Sequence, residues 1–332
     1  MIPGRALAAG GVRIAPAAGN LPLPVPDMRV LLAFRNAGEW RERFSRALPG
    51  ASVEVWPEAS ADVDYAIVWK PLPEVFERTR IGGAVFNLGA GVDRLLAIPA
   101  LPKSVPVYRL EDAGMAEQMC EYVAAATLWA YRDLDAYARS QRVGQWKPLA
   151  RRDKSAFVVG LLGLGVLGTA VAGTLAGLGF PLAAWTRTRR DIAGIATCAG
   201  PGELPAFLAR CRVLVVLLPS TPGTRGLLDR RTLALLPRGA HLVNVARGDI
   251  VVDSDLIAAL DEGSLAGATL DVFRDEPLPP AHPFWHHPGI RLTPHVSAVT
   301  LPDASLAQIA GKIAQLSRGE TPSGRVDIGR GY

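Results

Sequence analysis

Residues 156–191, AFVVGLLGLGVLGTAVAGTLAGLGFPLAAWTRTRRD, constrain this chain more than any other stretch. The apolar run 157–162 reads as a strand buried on both faces, as in a parallel sheet. Gly163, Gly165 and Gly168 follow as G-x-G-x-x-G. Small and apolar residues then continue to Leu178, which predicts a helix packed closely on that sheet. Gly179 and Pro181 end the helix, and 182–185 is a second short strand. Strand, glycine turn, helix and strand form a dinucleotide-binding unit. The first glycine permits the tight turn, the second lets backbone amides approach a pyrophosphate, and the third lets the helix sit against the strand. Val166 and Leu167 would open the helix, its unpaired N–H groups and positive dipole end facing the phosphates. A purely structural glycine turn is the competing reading.

The far end of the unit bears on which dinucleotide. An acid there would bind a ribose 2′-hydroxyl and repel a 2′-phosphate. Here Thr186, Arg187 and Thr188 stand at the strand end, followed by Arg189 and Arg190. A hydroxyl and a guanidinium suit a phosphate, so NADP(H) is expected in preference to NAD(H). The alternative is that the basic run is only a solvated loop.

A chain of 332 residues has room for two domains with separate cores. Its composition, 49% hydrophobic and 20% charged, is that of a globular protein, and no apolar run approaches a membrane span. The net charge of +5 comes from scattered basic residues without a basic-aromatic run, which speaks against nucleic acid and suits a small anionic substrate. Cys120, Cys198 and Cys211 lack metal or redox spacing and are expected as buried, reduced thiols of a cytoplasmic protein. No metal site is expected, because His286-His287 has no ligand-spaced Cys or carboxylate around it. Residues 1–27, rich in Ala, Gly and Pro, read as a flexible extension rather than a signal peptide.

From Met28 onward, strand-like segments at 29–34, 52–56, 64–69, 84–88 and 105–110 alternate with helical ones at 40–48 and 74–79. This implies a parallel α/β sheet. The turn Asn87-Leu88-Gly89-Ala90-Gly91-Val92-Asp93 follows a strand, where open α/β sheets bind ligands, and its uncovered N–H groups suit a carboxylate. A tight turn without a ligand is the plainer possibility. Residues 113–141 read as one long helix, and the polar arm after it is either a subunit contact or core. Leu218 and Pro219 end the strand at 213–218, where an adenosine could rest. A helix from Asp253 or Ser254 through Leu260 and a last helix at 301–316 complete the pattern.

Arg247, Glu276 and His295 each follow an apolar run and so converge at one sheet edge. Together they suit reduction of a keto acid. A guanidinium holds a carboxylate in its fork and polarises the carbonyl, an imidazole donates a proton to the oxygen, and a carboxylate fixes the imidazole tautomer. Singly, Arg247 could pair with Asp249, Glu276 could be an exposed loop acid and His295 could cap a strand.

Asn244-Val245-Ala246-Arg247-Gly248, Leu270-Asp271-Val272-Phe273 with Glu276-Pro277-Leu278-Pro279, and Thr293-Pro294-His295 resemble the signature blocks of the D-2-hydroxyacid dehydrogenases. Leu88 to Asp93, Arg109-Leu110-Glu111-Asp112, Trp185-Thr186-Arg187 and the ending Val326-Asp327 to Gly331-Tyr332 resemble its glyoxylate/hydroxypyruvate reductase A branch, with a local departure at Ala113 and Ala116. The resemblance implies two Rossmann-like domains with parallel sheets and a cleft between them. The substrate-binding domain would be discontinuous, 28–118 with 300–332, and 119–299 would be the NADP-binding domain. It implies Arg247 on the substrate, His295 as acid/base with Glu276 as its partner, and Val245, Ala246 and Asp271 beside the cofactor. Trp69, Lys70, Gly89, Ala90 and Gly91 would line the substrate side, and the protein would be a homodimer. The expected activity is NADPH-dependent reduction of glyoxylate and hydroxypyruvate. The alternatives are a dehydrogenase for a bulkier acid such as phenylpyruvate, or a non-catalytic NADP(H) sensor.

Overall fold

The computed structural model describes residues 27–332, so the expected extension 1–27 lies outside the described residues apart from Asp27. Two parallel sheets organise the rest. The first contains β1 (Arg29–Ala33), β2 (Ser52–Val55), β3 (Asp62–Val68), β4 (Arg80–Asn87) and β5 (Val107–Arg109), ordered β2-β1-β3-β4-β5. Its crossovers carry α1 (Ala37–Ala47), α2 (Glu74–Arg78) and α3 (Asp93–Leu96). Successive strand residues point to opposite faces, and both faces are covered. Val30, Leu32, Ile67 and Phe86 fill one core layer, while Leu31, Val68 and Val85 fill the other.

Helices α4 (Met115–Tyr131) and α5 (Leu134–Arg142) lead into the second sheet. Its strands are β6 (Val159–Leu162), β7 (Leu182–Thr186), β8 (Ile195–Ala199), β9 (Val213–Val216), β10 (Ala240–Asn244), β11 (Leu265–Leu270) and β12 (Ile290–Leu292). They are ordered β12-β11-β10-β9-β6-β7-β8. The helices are α6 (Val166–Gly177), α7 (Gly200–Leu208), α8 (Arg230–Leu233), α9 (Asp253–Asp261) and, last, α10 (Pro302–Ser317). Helix α6 buries Gly168, Val171, Ala172 and Leu175, one face at helical spacing, against the sheet. The strand order reverses between β6 and β9 in this sheet and between β1 and β3 in the first. Those switch points are where open α/β sheets form ligand crevices. Met119, Val123 and Ala126 of α4 pack on the second sheet, whereas Ile309, Ala310 and Ile313 of α10 return to the first, beside Phe44 and Tyr108. Among the described residues, no helix is long and apolar enough to cross a membrane.

Four expectations need correction. The long helix over 113–141 is two helices, broken where Asp133 adopts a left-handed conformation (φ 56°) and its carboxylate pairs with Arg152. Strand β8 and helix α7 were not anticipated. β8 is a half-exposed edge strand, and α7 begins Gly-Pro-Gly and contains Pro205, all ordinarily breaker signals. Helix α9 is preceded by Val252 and has no side-chain cap from Asp253 or Ser254. Of the cysteines, only Cys211 is fully buried, and that burial pushes its thiol up to about 12, while Cys120 and Cys198 are half-buried.

His241, on β10, is 3% exposed and shares a hydrogen bond of 3.0 Å with Thr269 Oγ1. Burial, and then the neighbouring Arg291 charge, pull its pKa from 6.5 to about 3, with Asp135 opposing. The folded chain therefore refuses a proton that the unfolded chain accepts. This contribution to stability is complete above pH 6.5 and is lost as pH falls from there toward 3. Between about pH 7.5 and 5.5 the wild type should lose ~1.4 kcal/mol through this group. Urea unfolding of wild type and His241→Gln at both pH values checks this. Equal losses in the two proteins would contradict it.

Candidate active site

The loops at the C-terminal ends of both sheets face one another. After β6, Gly163 takes φ +108°, and a Cβ there would lie 3.0 Å from Leu217 O. A Cβ on Gly168 would lie 2.3 Å from Gly163 O, so only glycine lets α6 approach its turn this closely. Gly165 has nothing within 4 Å of a Cβ position, and Val166 beside it is 51% exposed. The turn is thus an open cradle capped by the first N–H groups of α6, including those of Val166 and Leu167, which fits a pyrophosphate. Leu218 packs against Gly163 from the β9 side, and Pro219 O accepts a hydrogen bond from Thr224 Oγ1 at 2.6 Å.

At the end of β7, the residues of the basic run separate by role. Thr186 is buried and its hydroxyl donates to Thr188 O at 2.7 Å, so it shapes the turn and offers no free O–H to a phosphate. Arg190 donates to Leu164 O at 2.7 Å, and Arg189 pairs with Glu203. Arg187 reaches none of these and meets the hydroxyl of Tyr332 instead.

Arg247 follows β10 through Val245 and Ala246, both buried. Asn244 shapes this turn, donating to Arg247 O at 2.9 Å and accepting from Ala246 N–H at 3.1 Å. The guanidinium reaches across to the first sheet, where Nε donates to Asp93 Oδ1 at 3.0 Å. Its Nη1 donates to Ala246 O at 2.6 Å. Two of the five guanidinium N–H groups are thereby engaged and three remain for a ligand. The expected local partner, Asp249, instead takes Ser220 and Arg225. A Cβ on Gly91 would lie 1.4 Å from Arg247 Nη2, and a Cβ on Gly89 would lie 2.2 Å from Trp69 Cζ3. The 88–92 turn therefore touches both side chains. Asn87 Nδ2 donates to Gly89 O and Gly91 O at 3.0 and 2.9 Å, turning those carbonyls inward. Among the described residues the Ala90 and Gly91 N–H groups have no acceptor. Lys70 (φ 46°) stands beside Trp69 with Nζ 5.9 Å from the indole centroid.

His295 Nδ1 lies 3.0 Å from both Glu276 oxygens. Burial of Glu276 works to raise its pKa, but the hydrogen bond to His295, the Phe273 N–H and the charges of His295 and Arg94 hold it down at about 2. Glu276 is thus a carboxylate acceptor at any working pH, which places the imidazole proton on Nδ1 and turns Nε2 outward. Glu276 is not an exposed loop acid, since its side chain is 16% exposed.

His295 itself has φ 57°, a left-handed conformation that the surroundings must impose. Asp271 imposes it. Fully buried, Asp271 accepts from Thr293 Oγ1 at 2.6 Å and from the Val296 and Ser297 N–H groups at 2.8 Å, while its carbonyl takes the His295 N–H at 2.8 Å. Burying a carboxylate costs several kcal/mol, and three hydrogen bonds to a charge, at about 1.5–3 kcal/mol each, offset it. Fully buried and held by these bonds, the Asp271 carboxylate serves as a bolt under the His295 loop, beside which the cofactor was expected. Tyr122 Oη, 2.6 Å from Thr293 Oγ1, extends that bolt to α4. Sequence reasoning missed Asp93, Arg94, Tyr122 and Tyr332 as members of this assembly. Each acts on a partner far along the chain, and only Asp93, inside the glycine turn, and Tyr332, in the ending that resembles the family branch, carried a signal.

The sequence profile of the D-isomer specific 2-hydroxyacid dehydrogenase, NAD binding domain, matches residues 124–297. The chain belongs to the D-isomer specific 2-hydroxyacid dehydrogenase family. It is 46% identical over 306 residues to glyoxylate/hydroxypyruvate reductase A of Serratia proteamaculans (strain 568), covering 90% of this chain and 97% of that one. A D-isomer specific 2-hydroxyacid dehydrogenase of Xanthobacter autotrophicus Py2, solved with NADPH and MES, superposes with TM-score 0.87 at 40% identity, covering 93% of this chain and all (100%) of that one. The NADPH-dependent glyoxylate/hydroxypyruvate reductase of Sinorhizobium meliloti, solved with NADP and sulfate, gives TM-score 0.85 at 35% identity over 92% of this chain and 100% of its own. This dehydrogenase therefore shares fold and family with both structures along nearly its whole described length.

Proposed function

We propose that this dehydrogenase reduces small 2-keto acids with NADPH, glyoxylate to glycolate and hydroxypyruvate to D-glycerate. The observation that carries the reading is that Arg247 meets Gly91 and Asp93 of the other sheet while Glu276, the partner of His295, meets Arg94 there at 3.5 Å, which brings both to the turn with the free Ala90 and Gly91 amides. The similarity to glyoxylate/hydroxypyruvate reductases supports it. NADPH bound along the Gly163–Gly168 cradle supplies a hydride to the keto carbon. Arg247 grips the substrate carboxylate with its free N–H edge and polarises the carbonyl, and the Ala90 and Gly91 amides hold the carboxylate from the opposite side. His295 donates the proton on Nε2 to the carbonyl oxygen, and Glu276 keeps the ring oriented while it does so. Residues 28–118 with 300–332 act as the substrate-binding unit and 119–299 as the NADP-binding unit, and closure between them excludes water. The Trp69 ring lies against Gly89 of the turn, and its bulk there favours a short substrate over phenylpyruvate. A substrate panel tests this: NADPH consumption should be fastest with glyoxylate and hydroxypyruvate. A preference for phenylpyruvate, or no keto-acid-dependent consumption, would overturn it.

The cofactor preference makes a second prediction. Arg187→Asp should lower kcat/KM for NADPH by about tenfold or more and raise it for NADH, because a carboxylate repels the 2′-phosphate and accepts a ribose hydroxyl. An unchanged ratio of the two kcat/KM values would remove Arg187 from the phosphate site.

The protein works as a cytoplasmic homodimer in this proposal. Leu128, Trp129, Tyr137, Val143 and Trp146 are exposed on α4, α5 and the arm after them, Trp146 at 99%, which supplies apolar side chains for a second copy to cover. The free thiols suit a reducing compartment.

A further inference from the structure

The segment after α10 belongs by its anchors to the first sheet and by its tip to the second. Lys312 is 4% exposed, pairs with Glu111 at 3.3 Å and donates to Ser323 O at 2.5 Å, while Ser323 Oγ also bonds Glu111. Arg109 N–H donates to Gly324 O at 3.0 Å and Val326 N–H to Val107 O at 2.8 Å, so the segment runs antiparallel along β5. Beyond Val326 the chain closes on itself. Asp327 N–H donates to Tyr332 O at 3.1 Å, and Gly331 N–H donates to Asp327 O at 2.9 Å. This compact loop reaches the cofactor unit at two points. Tyr332 lies against Arg187, after β7, and a Cβ on Gly331 would lie 3.7 Å from Thr221 Cγ2, after β9. Strands β7 and β9 flank β6. The loop tip therefore spans the crevice over the adenosine end of the Gly163–Gly168 cradle.

We propose that Tyr332 is a cofactor-specificity residue, a second donor to the NADPH 2′-phosphate supplied from the substrate unit, which also positions Arg187 for its own contact. Arg187 Nη1 donates to Tyr332 Oη, and its Cζ lies 5.5 Å from the ring centroid. A tyrosine hydroxyl that accepts from a guanidinium still holds its own proton, and that proton is the donor left for a phosphate oxygen. The ring meanwhile holds the guanidinium in one orientation through a cation–π contact, so less freedom is lost when the phosphate arrives. NADH has no 2′-phosphate to meet this pair. Recognition of NADPH, and not of NADH, is thereby tied to a strap that joins the two units. The inference rests on the NADPH reading of the site.

Tyr332→Ala and Tyr332→Phe in the full chain test it, with steady-state kinetics on NADPH and NADH and calorimetric titration of 2′,5′-ADP and 5′-AMP. The alanine variant should raise KM for NADPH about tenfold and weaken 2′,5′-ADP by the same factor, as loss of a hydrogen bond to a charge would. Its kcat, KM for NADH and affinity for 5′-AMP should stay at wild-type values. The phenylalanine variant should fall between, keeping the ring and losing the hydroxyl. Equal changes for NADPH and NADH would show that the strap only packs and would overturn the proposal, as would no change for either. Wild-type protein that binds 2′,5′-ADP no better than 5′-AMP would instead overturn the NADPH reading itself.

Discussion

His295→Ala should lower kcat by on the order of a thousandfold, as expected for loss of a general acid, while NADPH still binds with near wild-type affinity. The two readouts separate because His295 stands apart from the nucleotide cradle. It follows β12, whereas the cradle follows β6, four positions away in the sheet order β12-β11-β10-β9-β6. Its Nδ1 is taken by Glu276 at 3.0 Å, so Nε2 is the atom whose loss matters. Glu276→Gln should give a smaller fall in kcat. The amide can still accept from Nδ1 but carries no charge to stabilise the imidazolium. Near-normal turnover of the alanine variant would remove His295 as the acid.

Arg247→Lys should lower kcat/KM for the keto acid by about a hundred- to a thousandfold, through both kcat and KM. A lysine retains the charge but not the planar fork. It cannot keep Asp93, Ala246 O and a substrate carboxylate in contact at once, as the guanidinium can. Gly91→Ala offers an independent check on the same geometry. A methyl group 1.4 Å from Nη2 must displace the guanidinium, so this variant should move in the same direction while its charge pattern stays intact. A lysine variant within about threefold of wild type would mean that Arg247 supplies only charge.

Much of this was legible in the chain because the signals were local. Gly163, Gly165 and Gly168 announced a turn whose roles follow from what a Cβ would strike: Leu217 O at the first, nothing at the second and Gly163 O at the third. Arg247, Glu276 and His295 announced themselves as polar residues at strand ends. What was not legible depended on long-range partners. The Arg247–Asp93 pair joins residues 154 apart in sequence, and nothing at either position distinguishes it from the nearer Asp249. The resemblance places Asp271 beside the cofactor, yet its burial and its bonds to Thr293, Val296 and Ser297 make it a support for the His295 loop. Thr186 likewise stands where a phosphate ligand is expected but gives its hydroxyl to Thr188. Helix α7 was hidden by its own Gly and Pro residues, which the packing of Leu204, Phe207 and Leu208 into the core overrides. The break at Asp133 was hidden because the partner of its carboxylate, Arg152, lies 19 residues further on.

In the proposed reaction Arg247 and His295 align a keto acid for hydride delivery from NADPH. This is tested most directly by isotope transfer. Wild-type protein is supplied with glyoxylate and with NADPH carrying deuterium on the transferring face of nicotinamide C4. The expected result is glycolate with deuterium at C2, formed in step with NADPH consumption, and no consumption when glyoxylate is omitted. Unlabelled glycolate, or NADPH consumption that does not depend on the keto acid, would contradict it.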